Sequence, residues 1–426
     1  MRILIVSLYY FPDLTGIAKI IGETADWLVT QGHSVHVVTA PPHYPEWRIR
    51  SGTRRAWYAR ECRAEGRHVV WRCPVWVPTR PTGLTRLLYL ASFAATSLPV
   101  ILFQARWRPH IVVLIEPPLF CAPAAVFVSC TSGSLSWLNI KDFELDAAFA
   151  LGILRSARIR RWMESVERWW LRRFDCVSSI SPAMVERARQ KGVASARLVL
   201  CRDFVDLDRI REDLDGAASM RARFGITPGQ MMVLYSGNLG LKQGLEIVSE
   251  AARSLRHRPD IRFVICGEGA AKEALANSAR GLCNIQLHGL VPEAELNALL
   301  HAADVHLLPQ KVEAAELVMP SKLLYMLASA RPIVATAELG TEVGQTVTAC
   351  GGRLVSPGDA SALGQALVEY AGDPVRRAQA GRAGRAYAQA LFDRNVVLGE
   401  MLDQFVSRTS SRRGSGGEKA WARWGC

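Results

Sequence analysis

The sequence predicts an α/β protein of two similar halves, and three observations carry that expectation. Short apolar, β-branched runs alternate with helical patterns, the alternation occurs in two successive series, and a length of 426 residues suits two domains. With 49% hydrophobic and 21% charged residues, the chain can bury a large core, which excludes a disordered or collagen-like polymer.

The first series of strand patterns is Ile3 to Leu8, Val35 to Thr39, Val69 to Arg72, Ile111 to Ile115 and Cys176 to Ile180. The second is Met232 to Ser236, Ile261 to Cys266, Ile285 to Leu287, Val305 to Pro309 and Pro332 to Thr336. Helical patterns between such runs mean βαβ units and parallel sheets. The charged stretch Asp203 to Gly216 lies between the two series and reads as the connector. The expected divisions are therefore 1–203, 204–385, a C-terminal helix over 386–408, and a mobile Ser-, Gly- and Arg-rich tail over 409–426.

Leu87 to Gln104 is 18 residues without a formal charge, the length at which a membrane-spanning helix becomes a candidate. Pro99 and the polar Ser92, Thr96 and Ser97 favour a long helix that packs on the sheet or dips into one leaflet. A span would also strand the sheet on both sides. The formal charge of +13 points to anionic partners without choosing among them. Arg48 to Arg80 holds nine Arg and two Glu, and Arg155 to Arg173 holds seven Arg and two Glu interleaved with Trp162, Trp169 and Trp170. Without a finger, zipper or aromatic RNA-binding signature, an anionic membrane face is expected ahead of nucleic acid.

The ten Cys form no C-x-x-C pair, and most are expected as reduced core residues. The apolar run from Met1 to Leu8 is too short for a signal peptide and leads into a Pro/Gly turn, so a cytosolic location is expected. Neither G-x-G-x-x-G nor G-x-x-x-x-G-K-[ST] occurs, which counts against dehydrogenase and P-loop readings.

Several strand-to-helix turns carry ligand-binding chemistry. The first strand runs into Tyr9-Tyr-Phe-Pro-Asp-Leu-Thr15-Gly16, where a glycine lets backbone approach a ligand and helix-start amides favour an anion. The second half opens with Gly237-Asn238-Leu-Gly240-Leu-Lys242-Gln243-Gly244, a composition that suits a diphosphate. Gly267 and Gly269 end the next strand, Lys311 ends a later one, and Pro320-Ser321-Lys322 begins a helix. A cation in a first turn opposes the helix dipole and needs a ligand or a nearby acid. Asp142, Glu144 and Asp146 follow a strand-like stretch; a carboxylate there could act as a general base, and a solvated acidic helix start would look the same.

Taken together, Tyr10-Phe-Pro-Asp-Leu-Thr-Gly-Ile17, Gly32-His33, Thr39-Ala-Pro-Pro-His-Tyr-Pro45, Asp142-Phe-Glu144, Ser236-Gly-Asn-Leu-Gly240 with Gln243-Gly244, and Pro320-Ser-Lys322 resemble the GT-B glycosyltransferases of family 4. Within that family the chain is most similar to the colanic acid biosynthesis glycosyltransferases. The resemblance implies two Rossmann-like domains facing a cleft, with an acceptor site in the first, a nucleotide-sugar site in the second, and a C-terminal helix crossing back. It further implies a hexosyltransferase-type enzyme that moves sugar with retention, without metal or other cofactor, from a nucleotide-diphosphate-sugar to a lipid-linked acceptor at the inner face of the cell membrane.

On this resemblance Asp142 and Glu144 are the expected catalytic acids and Thr15 and Gly16 the phosphate or acceptor loop. Gly237, Asn238, Gly240, Lys242, Gln243, Gly267, Gly269, Lys311, Pro320, Ser321 and Lys322 are the expected donor contacts. The sequence departs from the wider family at Asn238 and Gln243, which stand where an Arg and a Lys are usual, at Tyr325, which replaces a ribose-binding Glu, and at Asn139, which replaces a His. The Asp-x-Asp pairs Asp206/Asp208 and Asp213/Asp215 fall in the connector and are expected at its surface. Two rivals share the architecture: a nucleotide-sugar epimerase, and a non-catalytic membrane-associated binding protein.

Overall fold

The computed structural model describes residues 1–13, 16–44, 46–49, 57–79, 83–143, 157–240, 243–311 and 320–414. The chain divides into two compact units, one of Met1–Arg202 with Leu398–Cys426 and one of Asp203–Val397.

The first unit holds an eight-stranded sheet of β1 (Arg2–Val6), β2 (Ser34–Thr39), β3 (Ala59–Arg63), β4 (His68–Arg72), β5 (Ile111–Glu116), β6 (Leu135–Ile140), β7 (Cys176–Ser179) and β8 (Leu198–Leu200). Its order is β3-β4-β2-β1-β5-β6-β7-β8, and only the β3–β4 pair is antiparallel. Every residue of β5 and β6 is buried; β5 accordingly reads as an apolar run from Ile111 to Ile115, whereas the buried polar Ser136 and Asn139 interrupt the pattern of β6. Sequence patterning does not reveal β3 because Ala-Arg-Glu-Cys-Arg is a charged, half-exposed edge strand, a composition that discourages pairing with other chains.

The helices α1 (Gly16–Thr30), α2 (Gly83–Phe103), α3 (Ala122–Ser132), α4 (Ala157–Leu171) and α5 (Pro182–Gln190) accompany this sheet. The uncharged run lies in α2, which buries Tyr89, Leu90, Phe93, Val100 and Ile101 in the core shared with β1, β5 and β6. With its continuation to Trp107, it is long and apolar enough to cross a membrane by length and composition. Its packed face matches the expected sheet-bound helix.

The second unit holds a six-stranded, all-parallel sheet of β9 (Met231–Ser236), β10 (Ile261–Cys266), β11 (Ile285–His288), β12 (Val305–Pro309), β13 (Ile333–Thr336) and β14 (Arg353–Val355), ordered β11-β10-β9-β12-β13-β14. It carries α6 (Leu214–Arg223), α7 (Glu246–Ser254), α8 (Lys272–Ser278), α9 (Leu296–Ala302), α10 (Ser321–Ala328), α11 (Glu342–Ala349), α12 (Ala360–Gly372) and α13 (Pro374–Leu391). In the connector, the Asp213 carboxylate caps α6 by accepting from the Gly216 amide. Asp206 is buried and ion-paired to Arg394 at 2.5 Å, unlike the surface position the sequence suggested, whereas Asp208 and Asp215 are exposed as expected.

The last helix, α14 (Arg394–Gly414), departs from expectation at both ends. It starts at Arg394, after the break at which Val205 bridges Asp393, and not at 386. It continues past 408, where a tail was expected, because Arg408 donates to the Ala196 carbonyl and Arg412 pairs with Asp175. Residues 415–426 lie outside the described residues.

Candidate functional site

Open parallel sheets bind ligands beyond the carboxyl ends of their strands, at the point where strand order reverses. In the second unit that point lies between β9 and β12, because the chain runs from β9 outward through β10 and β11 and then returns to β12 on the other side. The loops after β9 and β12 are those that hold Gly237 to Gly244 and Lys311. They touch: a Cβ on Gly244 would lie 3.0 Å from Lys311 Cγ.

The loop after β10 is laced to the loop after β9 by backbone bonds. Gly237 N donates to the Cys266 carbonyl at 3.0 Å, Leu239 N to Glu268 at 2.8 Å, and Ala271 N to Leu239 at 2.8 Å. Two glycines make this approach possible. A Cβ on Gly267 would fall 2.0 Å from the Gly237 carbonyl oxygen, and one on Gly269 would fall 2.4 Å from that of Leu239. These glycines therefore hold two loops together, a role the sequence reading did not foresee beside the donor contact expected of them.

Proline and a first-turn cation are arranged as expected: Pro320 precedes α10, and Ser321 and Lys322 form its start. Lys322 Nζ donates a 3.0 Å hydrogen bond to the Tyr235 hydroxyl and lies 4.3 Å from the centre of its ring. The hydroxyl in turn donates to the Asn238 carbonyl at 2.6 Å. Lys322 has no carboxylate partner among the described residues, and desolvation by the surrounding protein pushes its ammonium down to about 7. Burial also pushes the Tyr235 phenol upward, so that hydroxyl stays protonated and able to donate.

Lys311 behaves differently, since its Nζ pairs at 2.7 Å with Glu246 in the first turn of α7. The Glu246 carboxyl is held below its ordinary range, first by this hydrogen bond. Gln243 keeps a buried Oε1 without a partner among the described residues, and its amide closes the turn by donating to Gly240. Asn238 presents its carbonyl to Tyr235, leaving Gly240 packed against the Gln243 side chain. Lys242 lies outside the described residues.

In the first unit the order reverses between β1 and β5. Gly16 opens α1 at this edge; Thr15 lies outside the described residues. Asp13, which sequence reasoning did not single out, is buried and ties the loop after β1 to the loop after β2 by accepting from the amides of His43 and Tyr44 at 2.7 and 2.9 Å. His43 Nε2 meets the Tyr89 hydroxyl at 2.5 Å, and Tyr9 stacks on its ring. Such a network joins residues far apart in the chain, so no local pattern announces it.

Asp142 sits just beyond β6, half-buried, while the next residue, Phe143, is buried. The Lys191 ammonium approaches the Phe143 ring at 5.0 Å and pairs with the buried Glu167 at 2.5 Å, so the start of this loop is fixed from beneath. Glu144 and Asp146 lie outside the described residues. Asn139 is buried on β6 inside the sheet, as are all its strand neighbours.

Comparison with known proteins agrees with this architecture. Residues 15–202 match the family described as Glycosyl transferase 4-like domain, and residues 230–373 match Glycosyl transferases group 1. The chain is 38% identical over 413 residues to WcaI of Escherichia coli K12, a glycosyl transferase assigned to colanic acid biosynthesis, covering 95% of this chain and 99% of that one. Among solved structures, the sucrose-phosphate synthase of Thermosynechococcus elongatus superposes with a TM-score of 0.73 at 17% identity, covering 96% of this chain and all of that one. HepE of Anabaena, in complex with UDP and glucose, superposes with a TM-score of 0.68 at 14% identity, over 96% of this chain and all of HepE. At these identities the two structures bear on the fold alone.

Proposed function

The chain belongs to the GT-B glycosyltransferases of family 4, and from that premise we propose that it moves a sugar, with retention, from a nucleotide-diphosphate-sugar to a lipid-linked acceptor during synthesis of a bacterial cell-surface polysaccharide. The observation that carries the donor half of this reading is the cluster of the Gly237–Gly240 loop, Lys311 and Lys322 at the point where the second sheet reverses its order. HepE, of the same fold, holds UDP and glucose in its crystal structure, which supports a nucleotide donor.

In this reading the second unit binds the donor, with the side chains of Lys322, Lys311 and Lys242 and the helix-start amides of Ser321 and Lys322, after Pro320, as the groups that meet the diphosphate. As the bond from the anomeric carbon to the diphosphate oxygen breaks, negative charge grows on that oxygen, and fixed positive groups stabilise it most where water is excluded. The acceptor hydroxyl oxygen bonds the anomeric carbon on the face from which the diphosphate leaves, which retains the configuration, and its proton passes to a carboxylate, that of Asp142 or of Glu144; Thr15 and Gly16 serve as the phosphate or acceptor loop. The enzyme works in the cytoplasm, held against the anionic inner face of the membrane, where a lipid-linked acceptor is found.

The test is a mass-spectrometric screen of nucleotide-sugars against an extract of lipid-linked acceptors. The expected outcome is an acceptor heavier by one sugar residue together with free nucleoside diphosphate. Isomerisation of the donor in the absence of acceptor would replace this reading with that of an epimerase.

A further inference from the structure

We infer that the outward faces of α2, α3 and α4 together form a docking surface for an anionic lipid bilayer, an inference that rests on the lipid-linked acceptor proposed above. The three helices cover one face of the first sheet, since Tyr89 and Phe93 of α2, Val126 of α3 and Leu171 at the end of α4 share a single core with Leu114 and Leu138 of the strands. Their opposite faces therefore look away from the sheet on the same side.

Those faces expose large apolar side chains among arginines. On α2, Leu84 and Leu88 are 69% and 52% exposed, and Leu98 follows on the same stripe at helical spacing. Phe127 on α3 is 49% exposed, and on α4 Trp162 and Trp169, seven residues apart and hence on one face, are 67% and 42% exposed. Scattered exposed apolar side chains are ordinary, but aligned stripes on adjacent helices mark an interaction surface.

Charge chooses the occupant. The exposed Arg158, Arg161 and Arg172 border the Trp162–Trp169 stripe, and the Arg173 guanidinium lies 3.5 Å over the Trp169 ring. Tryptophan beside arginine suits the headgroup layer of a bilayer, where the ring is half in hydrocarbon and the cation meets lipid phosphate. A second copy related by two-fold symmetry would bring the arginines of one stripe towards those of the other. A spanning α2 would have to pull Tyr89, Phe93 and Ile101 out of the sheet core.

The experiment is sedimentation of the full chain with vesicles of phosphatidylcholine alone and with about 30% phosphatidylglycerol, at low and high salt. Wild type is expected to pellet with the anionic vesicles, in part reversed by salt, and its tryptophan emission to be quenched by brominated lipid. Trp162→Ser with Trp169→Ser, and separately Leu84→Ser with Leu88→Ser, should each lower the partition coefficient by about tenfold or more, since each removes buried apolar area. Thermal unfolding of both variants should match wild type, because these side chains lie outside the core. Variants that pellet like wild type would overturn the inference. So would a wild type that ignores anionic vesicles at low salt, including one that self-associates through this face. Transfer to an acceptor dispersed in detergent, measured on the same proteins, tests the glycosyltransferase reading apart from the docking surface.

Discussion

Lys322 Nζ hydrogen-bonds the Tyr235 hydroxyl at 3.0 Å, joining the first turn of α10 to the end of β9 across the point where the second sheet reverses. A first-turn cation opposes the helix dipole, and among the described residues its neighbour is a neutral phenol and an aromatic face. Burial without a counter-charge among the described residues disfavours the charged form of this lysine, and a diphosphate bound beside it, as proposed, would supply that counter-charge.

Lys322→Ala should weaken nucleotide-sugar binding by about 1 to 3 kcal/mol, the range for a charge-assisted hydrogen bond, with folding preserved. Lys242→Ala should do the same. Titration calorimetry with the free nucleoside diphosphate checks both, and wild-type affinity in both variants would remove these lysines from the site.

If Lys322 meets the diphosphate as proposed, its depressed ammonium should make donor binding depend on pH. Its pKa is about 7 in the folded chain against an ordinary 10.5, so above pH 7 the free protein holds this lysine neutral. A bound dianion favours the charged form and raises the pKa, so binding takes up a proton and affinity falls as pH rises from about 7. Calorimetry near pH 8 in buffers of different ionisation enthalpy should show uptake approaching one proton per site, and Lys322→Met should abolish it. The same shift has a stability consequence of fixed sign. Between pH 7 and 10.5 the unfolded chain binds the proton that the folded chain has lost, so this group's contribution to stability rises with pH across that window.

Gly267→Ala places a methyl group where the Gly237 carbonyl oxygen now stands, 2.0 Å away. Backbone must move, and overpacking of this kind costs about 1 to 3 kcal/mol. A lower midpoint of thermal unfolding and a weaker donor affinity should appear together, because the displaced loop is the one after β9. An unchanged midpoint would show that the two loops separate freely.

Much of this architecture was legible beforehand, because parallel strands buried on both faces write themselves as apolar runs; β5, β10 and β12 fall where those runs lie. The start of α10 was equally plain, since proline at a helix start acts locally. The edge strands β3, β8 and β14 were not, being short or charged. Nor was the role of Gly267, which answers to a carbonyl thirty residues earlier, or the Asp13–His43–Tyr89 network, whose members meet only once strand order is set. The end of α14 was misplaced because Arg412 finds its partner, Asp175, in a distant part of the chain.

Asp142→Asn keeps size and polarity and removes a base. Transfer should fall by about 10² to 10⁴, the usual worth of general-base assistance, while donor affinity holds. Stopped-rate assays alongside calorimetry separate the two. A near wild-type rate would shift attention to Glu144, and a joint collapse of rate and affinity would make Asp142 structural.

Acceptor-dependent transfer is tested most directly by the release of nucleoside diphosphate by the purified full chain, with and without lipid-linked acceptor, set against the mass of the acceptor. Release should depend on acceptor and match, one for one, the acceptor molecules made heavier by a sugar. Donor consumed at the same rate without acceptor, or acceptor of unchanged mass while nucleoside diphosphate accumulates, would contradict it.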